Sequence, residues 1–118
     1  MNSRDQLRTQ LLASMAAIFS GEASPVLLGA LRVAFPELSF ALVVNWIPEQ
    51  AEDIYWILID LDRIAMVEVP RLSDNISDVL IEIVSLTAYK ERRLSVENRM
   101  KLKVAIELMK RHEGRGFI

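Results

Sequence analysis

The sequence predicts an α+β fold in which a three-stranded antiparallel β-meander is flanked by two N-terminal and two C-terminal helices. Apolar residues recur at helical spacing towards both ends of the chain, whereas the middle is rich in β-branched and aromatic residues. The predicted strands follow one another through short connections, which suit antiparallel pairs because a parallel pair needs a long crossover. With 118 residues, 52% hydrophobic and 25% charged, residues 1–118 are expected to form a single globular domain.

The two N-terminal helices are predicted from their end signals. The first runs from about Arg4 to Ser20, where Gly21 can adopt the left-handed conformation that ends many helices. The second begins after Ser24, with Pro25 in its first turn, and ends before Pro36. The helical spacing of apolar residues in the first segment favours a helix of the folded domain over a cleaved signal peptide.

The three strands are predicted from the β-rich middle of the chain. They cover residues 38–47, 54–59 and 64–69, and the polar loop 48–53 and a tight turn at 60–63 connect them. The second strand, I-Y-W-I-L-I, is apolar on both of its faces. A sheet open to water on one side would not require this, so we expect cover on both faces. Helices from the two ends of the chain could supply it, or a second copy of the protein could cover part of one face.

Two further helices are predicted after the sheet. Ser73 is placed to cap a third helix that continues to about Arg92. Ser95 is placed to cap a fourth helix from Val96 to about His112. The residues expected on the buried side of the third helix are Ile76, Val79, Leu80, Ile83, Val84 and Thr87.

Composition excludes several kinds of site. The chain has no cysteine, which removes disulfides and thiolate zinc sites and is compatible with a reducing cytoplasm. Its only histidine, His112, cannot build a metal site that needs several histidines. Charged residues and a proline interrupt the longest apolar region, residues 26–47, and this excludes a transmembrane helix there. We expect a cytoplasmic protein without metal, cofactor or membrane partner.

One segment resembles an enzyme motif. In Y-W-I-L-I-D-L-D-R-I, Asp60 and Asp62 follow an apolar strand, as in the first motif of haloacid-dehalogenase-type phosphotransferases. That resemblance implies a nucleophile at Asp60, a general acid at Asp62 and a bound Mg²⁺. Ile64 stands where those enzymes have Thr or Val, and the predicted fold lacks their parallel sheet. A polar turn explains both aspartates, so we expect no catalytic residues and keep a Mg²⁺-dependent phosphotransferase as the less favoured alternative.

Charge is distributed unevenly along the chain. Residues 49–82 hold nine acids against Arg63 and Arg71, a net charge of −7, whereas residues 83–118 carry +5. The basic residues are interleaved with glutamates and the whole chain carries −2, which favours a solvated helix face over a nucleic-acid site. An acidic segment can steer a basic protein partner by complementary potential.

The candidate binding residues combine these acids with aromatic side chains. Asp74, Asp78 and Glu82 are spaced by four residues and would form a stripe on the predicted third helix. More acids lie in the loop between two aromatic residues, and aromatic anchors beside charge are typical of protein interfaces. The predicted partner-binding residues are Glu49, Glu52, Asp53, Asp74, Asp78, Glu82, Trp46 and Tyr55.

The chain resembles the immunity proteins of bacterial contact-dependent growth-inhibition systems. The resemblance is carried by residues 35–59, F-P-E-L-S-F-A-L-V-V-N-W-I-P-E-Q-A-E-D-I-Y-W-I-L-I, in a small acidic α+β domain. It implies a cytoplasmic protein that binds one cognate toxin domain, often a nuclease, and occludes its active site or substrate surface. We expect a monomer or a weak homodimer. The alternative in the interaction class is a dimeric secretion chaperone or adaptor.

Overall fold

Helices α1 (Ser3–Ser20) and α2 (Pro25–Ala34) begin the computed structural model, which describes residues 3–115. Gly21 ends α1 with a φ of 84°, and its N–H donates to the Ile18 carbonyl at 3.1 Å. The Ser24 hydroxyl caps α2 by accepting the Leu27 N–H at 3.1 Å. Both predicted helices are therefore confirmed, with their local end signals in use. Residues 1, 2 and 116–118 of the predicted domain lie outside the described part.

The sheet has four strands where three were predicted. The strands β1 (Leu42–Pro48), β2 (Glu52–Leu58), β3 (Arg63–Pro70) and β4 (Leu80–Ser85) form an antiparallel meander in sequence order. The first three match the predicted strands, although β1 begins at Leu42 rather than near residue 38. A bulge between Val43 and Asn45 shifts the register of β1 against β2. The α+β class and the antiparallel meander are confirmed, and the strand count is corrected.

The predicted third helix from Ser73 to Arg92 is wrong. A 3₁₀ turn (Ile76–Asp78), strand β4 and the short helix α3 (Leu86–Lys90) occupy most of this segment. The Ser73 hydroxyl accepts the Asn75 N–H at 3.1 Å within the connection, instead of capping a long helix. The Ser85 hydroxyl caps α3 by accepting the Ala88 N–H at 3.0 Å.

Strand β4 forms because it has a ladder to join. Its Ile81, Ile83 and Val84 are β-branched, which lowers helix propensity and suits a pleated strand. The spacing of apolar residues in β4 fits a helix as well as a strand. Without β4, however, the outer edge of β3 would have no strand partner. Pairing along β3, for example of Val84 with Ile64, satisfies the inner backbone groups of β4 and decides the outcome.

Helix α4 (Val96–Arg115) is the predicted fourth helix and continues beyond the predicted end at His112. The Ser95 hydroxyl caps it, as expected, by accepting the Asn98 N–H at 3.0 Å. The His112 ring stacks on Phe40, with 4.1 Å between centroids, so it ties α4 to the start of the sheet.

None of the described helices is by itself long and apolar enough to cross a membrane. Helices α1 and α2 meet that criterion only as a pair, and an 85° bend separates them.

Helices cover both faces of the sheet. On one face, α1, α3 and α4 pack against strand residues that include Val44, Trp56 and Leu58. The buried apolar side chains on this face are called the first core. On the other face, α2 and the end of α1 pack against Ile57 and Val67, which we call the second core. Helices from the two ends of the chain thus supply the cover that the two apolar faces of β2 predicted.

Candidate functional site

One end of the sheet gathers most of the predicted binding residues. The turn between β1 and β2 and the connection from β3 to β4 leave the sheet at this end, and the Arg71 N–H donates to the Ala51 carbonyl at 3.0 Å. The turn is closed by the Glu49 N–H, which donates to the Glu52 carbonyl at 2.9 Å. Two segments that are separated in sequence therefore present their acids side by side.

Asp53 is the centre of this end. Its carboxylate accepts the indole N–H of Trp46 at 3.2 Å. It also accepts two hydrogen bonds from the Arg71 guanidinium, from Nη2 at 2.9 Å and from Nε at 3.3 Å. A two-point contact between guanidinium and carboxylate holds both groups in a defined orientation. Asp53 thus holds the indole of Trp46 in one orientation.

Trp46 and Tyr55 form an aromatic pair beside Asp53. Their rings are stacked with 6.4 Å between centroids, and Trp46 is 52% exposed although it is a large apolar side chain. The pair is one wall of a groove of about 260 Å³ on the second-core face, whose other walls come from α1, the α1–α2 turn and β1. The remaining lining residues are Ser14, Ala17, Ile18, Ala23 and Val43. Their small or apolar side chains make the groove suitable for an apolar side chain of a partner.

The Tyr55 hydroxyl stays protonated at neutral pH. Burial raises the pKa of Tyr55, and the Asp53 charge raises it further, against a smaller opposing effect of Arg71. A protonated hydroxyl is a hydrogen-bond donor as well as an acceptor. The aromatic pair therefore offers an apolar surface together with a polar group.

The remaining predicted acids divide between two locations. Glu49, Glu52, Asp74 and Asp78 lie at the same end of the sheet as Asp53, and Asp74 lines a concavity together with Asp53. Asp78 accepts a hydrogen bond from the Ser73 hydroxyl at 2.6 Å. These four acids, with Trp46, Asp53 and Tyr55, are called the acidic–aromatic surface. It wraps around the end of the sheet, because Glu52 projects from the first-core face, like Ile54 and Trp56 of the same strand.

Glu82 is separate from this surface, which corrects the predicted stripe of acids. Asp74, Asp78 and Glu82 do not share a helix face, because the segment is a connection, a 3₁₀ turn and a strand. Glu82 lies on β4 opposite Met66, which belongs to the first core. Asp53 and Tyr55 project from the other face of the sheet, since Tyr55 pairs with Val67 of the second core.

Asp60 organises the turn between β2 and β3. Its carboxylate accepts the N–H groups of Asp62 and Arg63, each at 2.8 Å, and the Arg63 Nε at 2.8 Å. Partial burial alone would raise the pKa of Asp60, but these hydrogen bonds outweigh it and hold that pKa below its ordinary value. The strands that flank the turn are antiparallel, unlike the sheet that the haloacid-dehalogenase resemblance requires. Among residues 3–115, no group of three or more acidic or histidine side chains is placed to hold a metal ion.

We expect the Asp60→Ala variant to lose about 1 kcal/mol of stability at neutral pH, because the turn loses a charged hydrogen-bond acceptor. The pKa of Asp60 is lower in the folded state, so its contribution is present above the ordinary aspartate range and disappears as the pH falls through the folded pKa. Urea denaturation of both proteins at several pH values should therefore show a difference that shrinks in acid. A constant difference across pH would contradict the assignment. Asp62→Ala is the control, since the Asp62 carboxylate is exposed.

Several basic side chains pack on aromatic rings of the fold. The Arg92 guanidinium lies 4.5 Å from the Trp56 ring centroid, and Arg63 lies 5.8 Å from that of Phe35. Burial lowers the pKa of Lys101, in the second turn of α4, and Glu97 opposes this shift. Part of the basic charge is thus placed on the fold's own aromatic rings.

The chain matches no family model, no curated protein and no solved structure in the comparisons made with known proteins. The site is therefore interpreted from its own residues.

Arg71 is the functional residue that the sequence reasoning missed, since its two hydrogen bonds orient Asp53. The available signal was that Arg71 is one of only two basic residues in the acidic segment 49–82.

Proposed function

We propose that this protein binds and neutralises a basic toxin domain, in the way that the resemblance to bacterial immunity proteins implies. The observation that carries the proposal is the half-exposed Trp46, held by Asp53 among acidic side chains. Exposed aromatic side chains that are already oriented are the usual anchors of protein interfaces, because little conformational entropy is lost when they bind. No catalytic group or cofactor enters this mechanism.

The anchor and the charges have separate roles in binding. Trp46 and the adjacent groove supply apolar contact, which slows dissociation once the partner is docked. Glu49, Glu52, Asp74 and Asp78 supply a negative potential that accelerates association with a basic surface. On a nuclease, their carboxylates would occupy the positions of substrate phosphates against Lys and Arg side chains.

The first test is co-expression with the C-terminal domain of the protein encoded immediately upstream. We expect the two proteins to co-elute at low salt, the complex to weaken as salt rises, and the toxin domain to lose its toxicity in cells that express this protein. Separate elution together with undiminished toxicity would overturn the proposal. Toxicity that persists despite a stable complex would also overturn the neutralising role.

Charge reversal tests whether this surface makes the contact. The double variant Glu49→Lys and Asp74→Lys should slow association by about tenfold and flatten its salt dependence. The control is the double variant Glu37→Lys and Glu91→Lys, which changes the net charge by the same amount. Both glutamates are exposed and lie at the other end of the sheet, in the connection between α2 and β1 and after α3. Association rates measured by surface plasmon resonance at several salt concentrations distinguish the two. Equal effects of both variants would show that only the net charge matters.

A further inference from the structure

The outer edge of β4 has no strand partner within residues 3–115, because β4 is last in the strand order. Two of its apolar side chains are exposed: Leu80 is 55% exposed and Ile83 is 46% exposed. Proteins usually protect such edges with bulges, prolines or lysines. The opposite edge strand, β1, has a bulge and ends in Pro48, whereas β4 has neither proline nor lysine and pairs with β3 in regular register.

The hydrogen-bond pattern shows which backbone groups point outwards. The Leu86 N–H donates to the Asp62 carbonyl at 2.8 Å, across the end of the β3–β4 ladder. Along an antiparallel strand, the backbone N–H and C=O groups of successive residues point alternately towards one neighbouring strand and the other. Like those of Leu86, the backbone groups of Val84 and Glu82 therefore point towards β3. The N–H and C=O groups of Ile81 and Ile83 therefore face away from β3 and are available for another strand.

We propose that β4 pairs antiparallel with β4 of a second copy of this chain, about a twofold axis at Ile83. The Ile83 residues of the two copies would then exchange hydrogen bonds, because their backbone groups face outwards. In this register Glu82 lies opposite Val84, so its charge does not face another carboxylate. An axis at Glu82 would place two like charges opposite each other, which is destabilising.

Charge on either side of β4 favours the second copy and the antiparallel direction. The connection before β4 carries Asp74 and Asp78, whereas Lys90, at the end of α3, and Arg93 follow β4. Antiparallel pairing brings the start of one β4 to the end of the other, so acidic and basic segments meet twice across the interface. Parallel pairing would instead bring each segment close to the same segment of the second copy, so that like charges would face each other.

The geometry limits assembly to a dimer. Each copy has one unprotected edge, and a twofold axis uses both of them, which leaves only the protected β1 edges outside. The aromatic pair of the acidic–aromatic surface lies on β1 and β2, so Trp46 stays available to another partner. Asp74 and Asp78 belong to both surfaces. Trp46→Ala therefore tests toxin binding without changing the β4 edge, and Ile83→Lys tests the dimer without changing the aromatic pair.

Sedimentation equilibrium over a range of protein concentrations tests the proposal. We expect a monomer–dimer equilibrium whose dissociation constant rises by at least about tenfold in Ile83→Lys, because the two lysines would lie opposite each other. The matched control is Leu12→Lys, since Leu12 is 38% exposed and lies on α1, which packs against β1. A wild-type protein that stays monomeric would overturn the proposal. So would a dimer that Ile83→Lys leaves intact, or that both variants weaken equally.

Thiol cross-linking keeps the test decisive even if Ile83→Lys does not fold. The chain contains no cysteine, so Ile83→Cys introduces a single thiol that lies next to its counterpart in the dimer. A short bismaleimide should cross-link Ile83→Cys as a dimer and leave Leu12→Cys monomeric at the same concentration. Equal cross-linking of the two variants, or none of Ile83→Cys, would contradict pairing at β4.

Discussion

Replacement of Trp46 by alanine is expected to weaken the complex with the toxin domain by about 30-fold or more, which corresponds to about 2 kcal/mol. The indole is the largest apolar group on the acidic–aromatic surface, and its hydrogen bond to Asp53 orients it before binding. Most of the loss should appear in the dissociation rate, because the charges that steer association remain. Isothermal titration calorimetry together with kinetic measurement checks both statements.

Two comparisons separate the role of the Trp46 ring from that of its N–H. Trp46→Phe keeps an aromatic ring but loses the hydrogen bond to Asp53, so we expect an intermediate loss of affinity. Val33→Ala removes part of an exposed apolar side chain on α2 and should leave the affinity unchanged. All three variants should melt close to the wild-type temperature, since neither position is buried. An unchanged affinity for Trp46→Ala would exclude this residue as the anchor.

Truncation of β2 on either face is expected to destabilise the protein by about 3 kcal/mol, within a range of about 2–5 kcal/mol. Ile57 faces the second core and Leu58 faces the first core, and both side chains are fully buried. Ile57→Ala and Leu58→Ala should therefore show similar costs in urea denaturation, with unchanged m-values. The physical reason is that each variant loses buried apolar area and leaves a cavity.

The control for the β2 prediction is Leu80→Ala on the edge strand. Leu80 is half-exposed, so its truncation should cost about 1 kcal/mol or less. Measurement at low protein concentration keeps dimerisation out of the comparison. A cost below about 1 kcal/mol for only one of the β2 variants would mean that helices do not bury that face of the sheet. Such a result would contradict the two-sided packing of helices described above.

The local signals in the sequence predicted most of the fold. Gly21, Ser24 and Ser95 mark helix ends through hydrogen bonds or backbone conformations that involve only near neighbours. The short connections between the first three strands likewise allow only antiparallel neighbours. These features need no long-range contact, which is why they could be predicted from a single chain.

The segment 73–92 shows where local pattern is insufficient. Its apolar residues fit a helix as well as a strand, and Ser73 resembles a helix cap. The free edge of β3 decided the matter, because Val84, Glu82 and Leu80 join a ladder that only the folded sheet provides. The predicted stripe of acids is wrong because it required a helix. In the strand, Glu82 lies on the first-core face of the sheet, apart from Asp74 and Asp78.

The sequence by itself determined the α+β class, the antiparallel meander, the cover on both faces of β2 and the concentration of acids in residues 49–82. Each of these follows from composition, from periodicity or from the length of a connection. Only the tertiary structure decided that β4 is a strand, that Glu82 is separate, and that Asp53 joins Trp46 to Arg71. These outcomes depend on strand register, and register depends on which distant segments share hydrogen bonds and core contacts.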